Sequence, residues 1–214
     1  MKHFLITRPA HDSNVSYLCF WSEEIIDFSH KNGISCSDFK KEKANREDVG
    51  KFLTKQNPSL VVFNGHGSPT TIAGHQNEPL VRSDDNEQLL KSKITYALAC
   101  DAAADLGKKA VAQGACAFIG YEGPFGFAHE PSRVCTPAKD KFAEPFKMIS
   151  NEIVISLLKG NTVQQAYAKS QQLCSKLIKK YSSSDADKEN ETIRFWLFWD
   201  QYFQKVHGDG LATF

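Results

Sequence analysis

The sequence predicts an α/β fold, a three-layer α/β/α sandwich with a mostly parallel sheet and an inserted β-hairpin. Three observations carry this prediction. Five short β-rich runs alternate with helical patterns through the first 120 residues, which implies βαβ units, right-handed crossovers and a sheet covered on both faces. A turn-rich stretch, TTIAGHQNEPLVRSD, breaks that rhythm after the third run. The chain has 214 residues, 41% hydrophobic and 24% charged, enough for one domain over 1–214 to bury roughly 70% of its unfolded surface.

The β-rich runs are 4–7, 34–36, 60–63, 94–99 and 116–120. Between the first two, residues 13–33 open on the possible N-caps Ser13 and Asn14 and close on Gly33. Val15, Leu18, Trp21 and Ile25 recur there at helical spacing. Asn45 and Asp48 make a capping-box-like start for a helix carrying Val49, Phe52 and Leu53, which ends at Asn57-Pro58. The Gly74 to Pro79 turn forms the hairpin. Asp84 or Asp85 then starts a helix through Leu89 and Leu90, and 105–113 forms another before Gly114. From Glu144 the chain reads as helical. One helix stops at Gly160, and Thr162 with Gln165 caps the next, in which Val163, Ala166, Tyr167, Leu173, Cys174, Leu177 and Ile178 mark the apolar face. Residues 182–191 are a polar, mobile loop whose one apolar residue is Ala186. The closing segment, 192–214, begins with six aromatics in IRFWLFWDQYF. Core packing of this helix and its tail on the domain outweighs a membrane-surface role, because the segment is short.

Charge and composition exclude several classes of function. The 26 basic and 25 acidic residues nearly cancel, so no general field attracts nucleic acid or anionic lipid. No run approaches the roughly 20 apolar residues of a membrane span. The opening MKHFLITRPAHD has too short an apolar run for a signal-peptide core. Cys19, Cys36, Cys100, Cys116, Cys135 and Cys174 include no C-x-x-C pair. Free thiols in a reducing cytoplasm are therefore expected, with no zinc cluster of the usual short spacing and no metal or organic cofactor.

Two strand ends carry the chemistry. The third run leads into Asn64-Gly65-His66-Gly67-Ser68 and the fourth into Cys100-Asp101. Sites in parallel sheets form at the carboxyl ends of strands. If the two strands are neighbours, about 4.8 Å apart, His66 and Cys100 can reach one substrate carbonyl. A thiol becomes a strong nucleophile when a histidine takes its proton, and the same imidazole can protonate the leaving amine. The amides of Gly67 and Cys100 are candidates for an oxyanion hole. Each residue alone has a duller explanation: Gly-His-Gly is often only a turn, and a buried cysteine is usually inert packing. Their shared place at strand ends is what favours catalysis. His75 and His129 read as surface residues, and a His129/Cys135 dyad has no geometric support.

The motifs VVFNGHGS, YALACDAAADLG, GACAFIGY, LLKGNTVQQAYAKS and HGDGLATF resemble, in order, the landmarks of clan CD cysteine peptidases, and among these the gingipain and CHAT branch. The resemblance spans most of the chain. It implies a caspase-like sandwich and a His66/Cys100 dyad that hydrolyses peptide bonds through a thioester acyl-enzyme, without a cofactor. Three departures limit the analogy. His66 and Cys100 are 34 residues apart, against roughly 50 in caspases, and Leu98 stands where the caspase signature has glutamine, so cleavage after aspartate is not implied. Gly208-Asp209-Gly210 lacks the proline of the terminal motif.

Asp101, Asp105 and Glu122 are the candidate substrate-binding acids, able to attract a basic residue before the cleaved bond. Asp105 also reads as an N-cap, and Asp101 as solvent-facing. The expected partners are a protein or peptide substrate and an activating protein. Two rival readings remain: a catalytically silent binding or regulatory module of the same fold, and an acyl transferase or non-peptide amidase using the same dyad.

Overall fold

The computed structural model describes residues 2–182 and 188–214. In chain order the first half comprises β1 (His3–Arg8), α1 (Ser13–Lys31), β2 (Ser35–Lys40), α2 (Arg46–Gln56), β3 (Leu60–Asn64), β4 (Gly67–Ser68), β5 (Thr71–Ala73), β6 (Pro79–Arg82) and β7 (Ile94–Leu98). The second half comprises α3 (Leu106–Ala112), β8 (Ala117–Tyr121), α4 (Glu144–Leu158), α5 (Val163–Lys180), α6 (Lys188–Phe203) and β9 (Gln204–Gly208). The main sheet has the order β2-β1-β3-β7-β8-β9, parallel except for β9, which runs antiparallel to β8. This is the mixed α/β architecture that the sequence predicts.

The two-residue period of the strands builds both cores. Phe4, Ile6, Leu60, Val62, Tyr96, Leu98, Ile119 and Tyr121 share one core with α1, α4, α5 and α6. Leu5, Val61, Phe63, Ala97 and Phe118 share the other with α2, α3 and the small sheet β4-β5-β6. The central strands β3, β7 and β8 are buried at every position, which is why they read as continuous apolar runs.

Several boundaries differ from the sequence reading, each for a local reason. The first helix is capped by Asp12, not Ser13 or Asn14: the Val15 amide donates to Asp12 Oδ1 at 3.0 Å. The second strand runs on to Lys40, because an edge strand pairs by backbone and needs no apolar alternation. The segment after Asp84 forms only a 3-10 turn, Glu87–Leu90, after Asp84 takes a left-handed φ of 59°. The hairpin gains a third strand, β4, which begins one residue after His66. The C-terminal helix already starts at Lys188, inside the loop read from composition. That loop's residues 183–187 lie outside the described residues.

The tail supplies β9, an unpredicted strand whose Gln204 to Gly208 lie opposite Tyr121 to Ala117. Among the described residues, no helix is long and apolar enough to cross a membrane. Instead α6 docks on the domain. Ile193 and Leu197 enter the core, and Trp199 Nε1 donates to the Pro124 carbonyl at 2.8 Å, while Phe195, Phe198 and Tyr202 stay exposed.

Candidate active site

The strand order sets the place of the site. From β1 the chain moves to β2 on one side, then returns to β3 on the other, so the loops after β1 and β3 diverge at this switch point and leave a crevice. The loop after β1 carries His11 and Asp12. The loop after β3 carries His66, and β7, in register with β3 such that Asn64 lies opposite Leu98, leads into Cys100.

Backbone contacts fix the two candidate residues. The Gly65 amide donates to the Leu98 carbonyl at 3.3 Å, which extends the β3–β7 ladder to the residue before His66. The turn at Cys100 is held from β8 and its following loop: Asp101 N donates to Gly123 O, and Ala103 N to Tyr121 O, both at 3.0 Å. Gly67 packs directly against this turn. A Cβ built there would stand 2.4 Å from the Cys100 carbonyl oxygen and 2.9 Å from Ala99 Cβ. Since backbone cannot swing away as a flexible side chain can, Gly67→Ala should cost about 1–3 kcal/mol of stability. Urea unfolding measures this, and an unchanged midpoint would show that β4 can shift away from Cys100 without loss.

His66 and Cys100 line one small cavity with Gly65, Val15, Leu18 and Phe125. Its volume is about 60 Å³, room for a few waters and not for a peptide side chain. A larger groove of about 300 Å³, bordered by Phe39, Phe52 and Lys51, holds neither residue. His66 Nε2 lies 2.7 Å from Asp12 Oδ2. An ionised carboxylate only accepts, so this bond places the imidazole proton on Nε2 and leaves Nδ1 as the basic nitrogen. Burial works to raise the pKa of Asp12, but the bonds from His66 and the Val15 amide outweigh it and hold the carboxyl below its ordinary value.

Cys100 is in a different electrostatic state. Burial pushes its thiol above the ordinary value, and the charges of Asp101 and Asp200 add to the rise. The thiol donates to the Phe125 carbonyl at 3.8 Å. Phe125 belongs to a loop that α6 braces from behind: Gly126 N donates to Asp200 Oδ1 at 3.0 Å, and the Asp200 side chain is buried.

Burial drives the Asp200 pKa well above the carboxylate range, so the folded state binds a proton more readily than the unfolded chain. Stability from this group therefore falls as pH rises past the ordinary carboxylate value. Asp200→Asn keeps the acceptor for Gly126 and removes that loss. The variant should melt at a higher temperature at pH 7, with the difference closing toward pH 3, where the acid is protonated in both states. Equal melting curves at pH 7 would count against a carboxyl stored in its neutral form.

The three acids singled out by sequence do not converge on the cavity. Asp101 follows Cys100 in a left-handed turn at φ 58°. Asp105 occupies the N-cap position of α3 without a side-chain cap bond, and pairs with Lys109 at 3.3 Å. Glu122 pairs with Lys108 at 2.8 Å and approaches His207 at 3.3 Å, and these contacts hold its carboxyl below the usual range. His75 and His129 are half-buried, not surface residues. The His75 ring packs edge-on to His11, and His129 rests against Tyr17 and Phe127.

Sequence reasoning missed Asp12 and His11. The signal was an acid in the loop after the first strand, beside the switch point, but it sat next to Ser13 and Asn14, which cap helices equally well.

Comparisons with known proteins bear on the fold. No protein-family model matches the chain, and no curated protein sequence matches it. Solved structures do. The Arg specific cysteine proteinase gingipain R (RgpB) superposes with a TM-score of 0.60 at 13% identity, covering 99% of this chain and 47% of that one. The complex of Porphyromonas gingivalis RgpB pro- and mature domains gives a TM-score of 0.57 at 12% identity, covering 99% and 48%. The chain thus spans about half the length of the structures it matches. It has the gingipain form of the caspase-like fold, shared with cysteine proteinases.

Proposed function

We propose that this chain is a cysteine peptidase domain of the gingipain and CHAT type. The observation that carries this reading is the cavity at the ends of neighbouring, in-register strands that is lined by both His66 and Cys100, with His66 held by Asp12. The proton of Cys100 Sγ passes to His66 Nδ1 as sulfur bonds to the peptide carbonyl carbon. The carbon–nitrogen bond then breaks, and His66 returns the proton to the leaving amine. Water next gives a proton to His66 and its hydroxide to the thioester, which releases the acid and restores the thiol. The amides of Gly67 and Cys100 are the proposed donors to the oxyanion.

A basic residue before the cleaved bond is the proposed preference. Asp105 and Glu122 are already paired with lysines, which leaves Asp101, beside the nucleophile, as the acid for that contact. The Arg-specific neighbour of the same fold supports this preference. The small cavity and the raised thiol pKa describe a resting form, which a partner protein or the substrate itself would open by moving Phe125. The same two observations favour a second reading, a silent module whose Cys100 never ionises.

Mass-spectrometric cleavage profiling of a diverse peptide mixture, with wild type and Cys100→Ala, tests the proposal. New peptide ends present only with wild type, preceded by lysine or arginine, are expected. Intact peptides in both samples, together with alkylation of Cys100 no faster than that of an ordinary thiol, would favour the silent module.

A further inference from the structure

We propose that His11, Asp12 and His66 form a binding site for a divalent transition ion of the zinc class, and that occupancy of this site takes His66 out of catalysis. The binding claim stands on side-chain geometry alone, whereas the consequence for catalysis rests on the peptidase reading above. One donor atom from each of the three residues lies within 4.8 Å of the other two. Asp12 Oδ2 stands 2.7 Å from His66 Nε2 and 3.6 Å from His11 Nε2. Tetrahedral zinc with bonds of about 2.0–2.1 Å sets its ligand atoms roughly 3.3 Å apart. Against that spacing the Asp12–His66 pair is about 0.6 Å too close and the Asp12–His11 pair about 0.3 Å too far, differences that rotation of the two imidazoles can close.

The surroundings prepare these ligands. Asp12 uses Oδ1 to cap α1, accepting from the Val15 amide, so the orientation of its carboxylate is fixed and Oδ2 is turned to the two imidazoles. The His11 side chain is only 6% exposed, against 39% for His66 and 38% for Asp12, which gives one buried anchor and two ligands reachable from solvent. The acceptors around His11 place its ring proton on Nε2. Nδ1 is buried without a partner among the described residues, and Nε2 meets only the Asn77 amide oxygen, at 3.2 Å, besides Asp12. Binding an ion at Nε2 therefore moves this proton to the buried Nδ1 and gives up the Asn77 bond.

Two imidazoles and one carboxylate suit zinc better than the hard, oxygen-seeking calcium or magnesium. The set is a three-ligand one with an open fourth position for water. It escapes a search for short cysteine or histidine spacings because the ligands come from two loops, at 11–12 and at 66, joined by the switch point of the sheet. Binding has a definite effect on the dyad. The ion takes the Nε2 lone pair of His66, so the proton that Nε2 shared with Asp12 moves to Nδ1. Nδ1 is the nitrogen needed to accept the thiol proton, and once protonated it cannot act as base. If His66 is imidazolium beforehand, one proton is released to solvent instead, and the outcome at Nδ1 is the same.

Calorimetry with Zn²⁺ and absorption spectra with Co²⁺ on the full chain test the site. Wild type and Cys100→Ala should bind one ion equally, with cobalt bands typical of nitrogen and oxygen ligands and no thiolate charge-transfer band. His11→Phe, which keeps a ring against His66 and His75, should weaken binding at least about tenfold. Long-range ¹H–¹⁵N spectra of the wild type give the same answer without a variant, because Zn²⁺ should shift the ring nitrogens of His11 and His66 and leave those of His129 in place. Absence of binding, a thiolate band that disappears with Cys100→Ala, or unshifted His11 nitrogens would each overturn the site. In the cleavage assay Zn²⁺ should stop wild type, a chelator should restore it, and His11→Phe should resist. Zinc-dependent activation would overturn the inhibitory role. If no peptide is cut under any condition, the peptidase reading fails while the binding measurements still decide the site.

Discussion

Cys100→Ala, His66→Ala and the double variant should all fall to the same residual rate of peptide cleavage, about 10⁴-fold or more below wild type. Nucleophile and base act as a unit, so the loss of either removes the whole covalent path and the second loss adds almost nothing. The geometry makes this sharper than usual. With its thiol raised by burial and bonded to the Phe125 carbonyl, Cys100 has little thiolate of its own to spend without His66. Single-turnover rates on the best peptide from cleavage profiling provide the measurement. If the two single losses multiplied in the double variant, the residues would be acting independently, and the thioester path drawn here would be wrong.

The sheet was legible for one reason: buried parallel strands are written as apolar runs, and two of these runs lead into the candidate site residues. Leu60 to Phe63 ends near His66, and Ile94 to Leu98 ends near Cys100. What was not legible is held by contacts between segments distant in sequence. Asp12 faces His66 across 54 residues, and its capping of α1 is its more visible local role. Strand β9 pairs at the sheet edge through Gln204 to Gly208, where half-buried polar residues satisfy a backbone ladder and leave no alternating apolar pattern. The acids near Cys100 illustrate the same gap. Asp105 lies five residues after Cys100 and Glu122 directly follows β8, but lysines of α3 pair with both, and sequence does not show a pairing of that kind. The aromatic crowd on α6 was legible as packing but not as a brace. Gly126 and Gly123 are glycines because Trp196 and Phe203 occupy the space a side chain would need, with contacts of 2.1 Å and 2.5 Å to a built Cβ.

Asp12→Asn should lower kcat by about 10²–10⁴ while leaving KM within a few-fold of wild type, by analogy with the loss seen when a catalytic histidine's carboxylate is made an amide. Asparagine caps helices as well as aspartate does, so the Val15 bond and the start of α1 survive the change. What changes is the face turned to His66. The carboxylate only accepts, and it holds the proton on Nε2; an amide can turn its NH₂ to Nε2 and so drive the proton to Nδ1, the nitrogen that must receive the thiol proton. The carboxylate also stabilises the imidazolium that forms as Cys100 attacks, and the amide does not. Two readouts separate this positioning role from a structural one. The pH–rate profile should lose its shape around the histidine range, because the paired charge that sustains the imidazolium has gone. Stability should become less sensitive to acid: the pKa of Asp12 is depressed in the fold, so its contribution is complete above the ordinary carboxylate value and is lost as pH falls through the lowered one, a loss the asparagine variant cannot show. A variant that kept wild-type kcat with an unaltered pH profile would show that His66 finds its tautomer without Asp12.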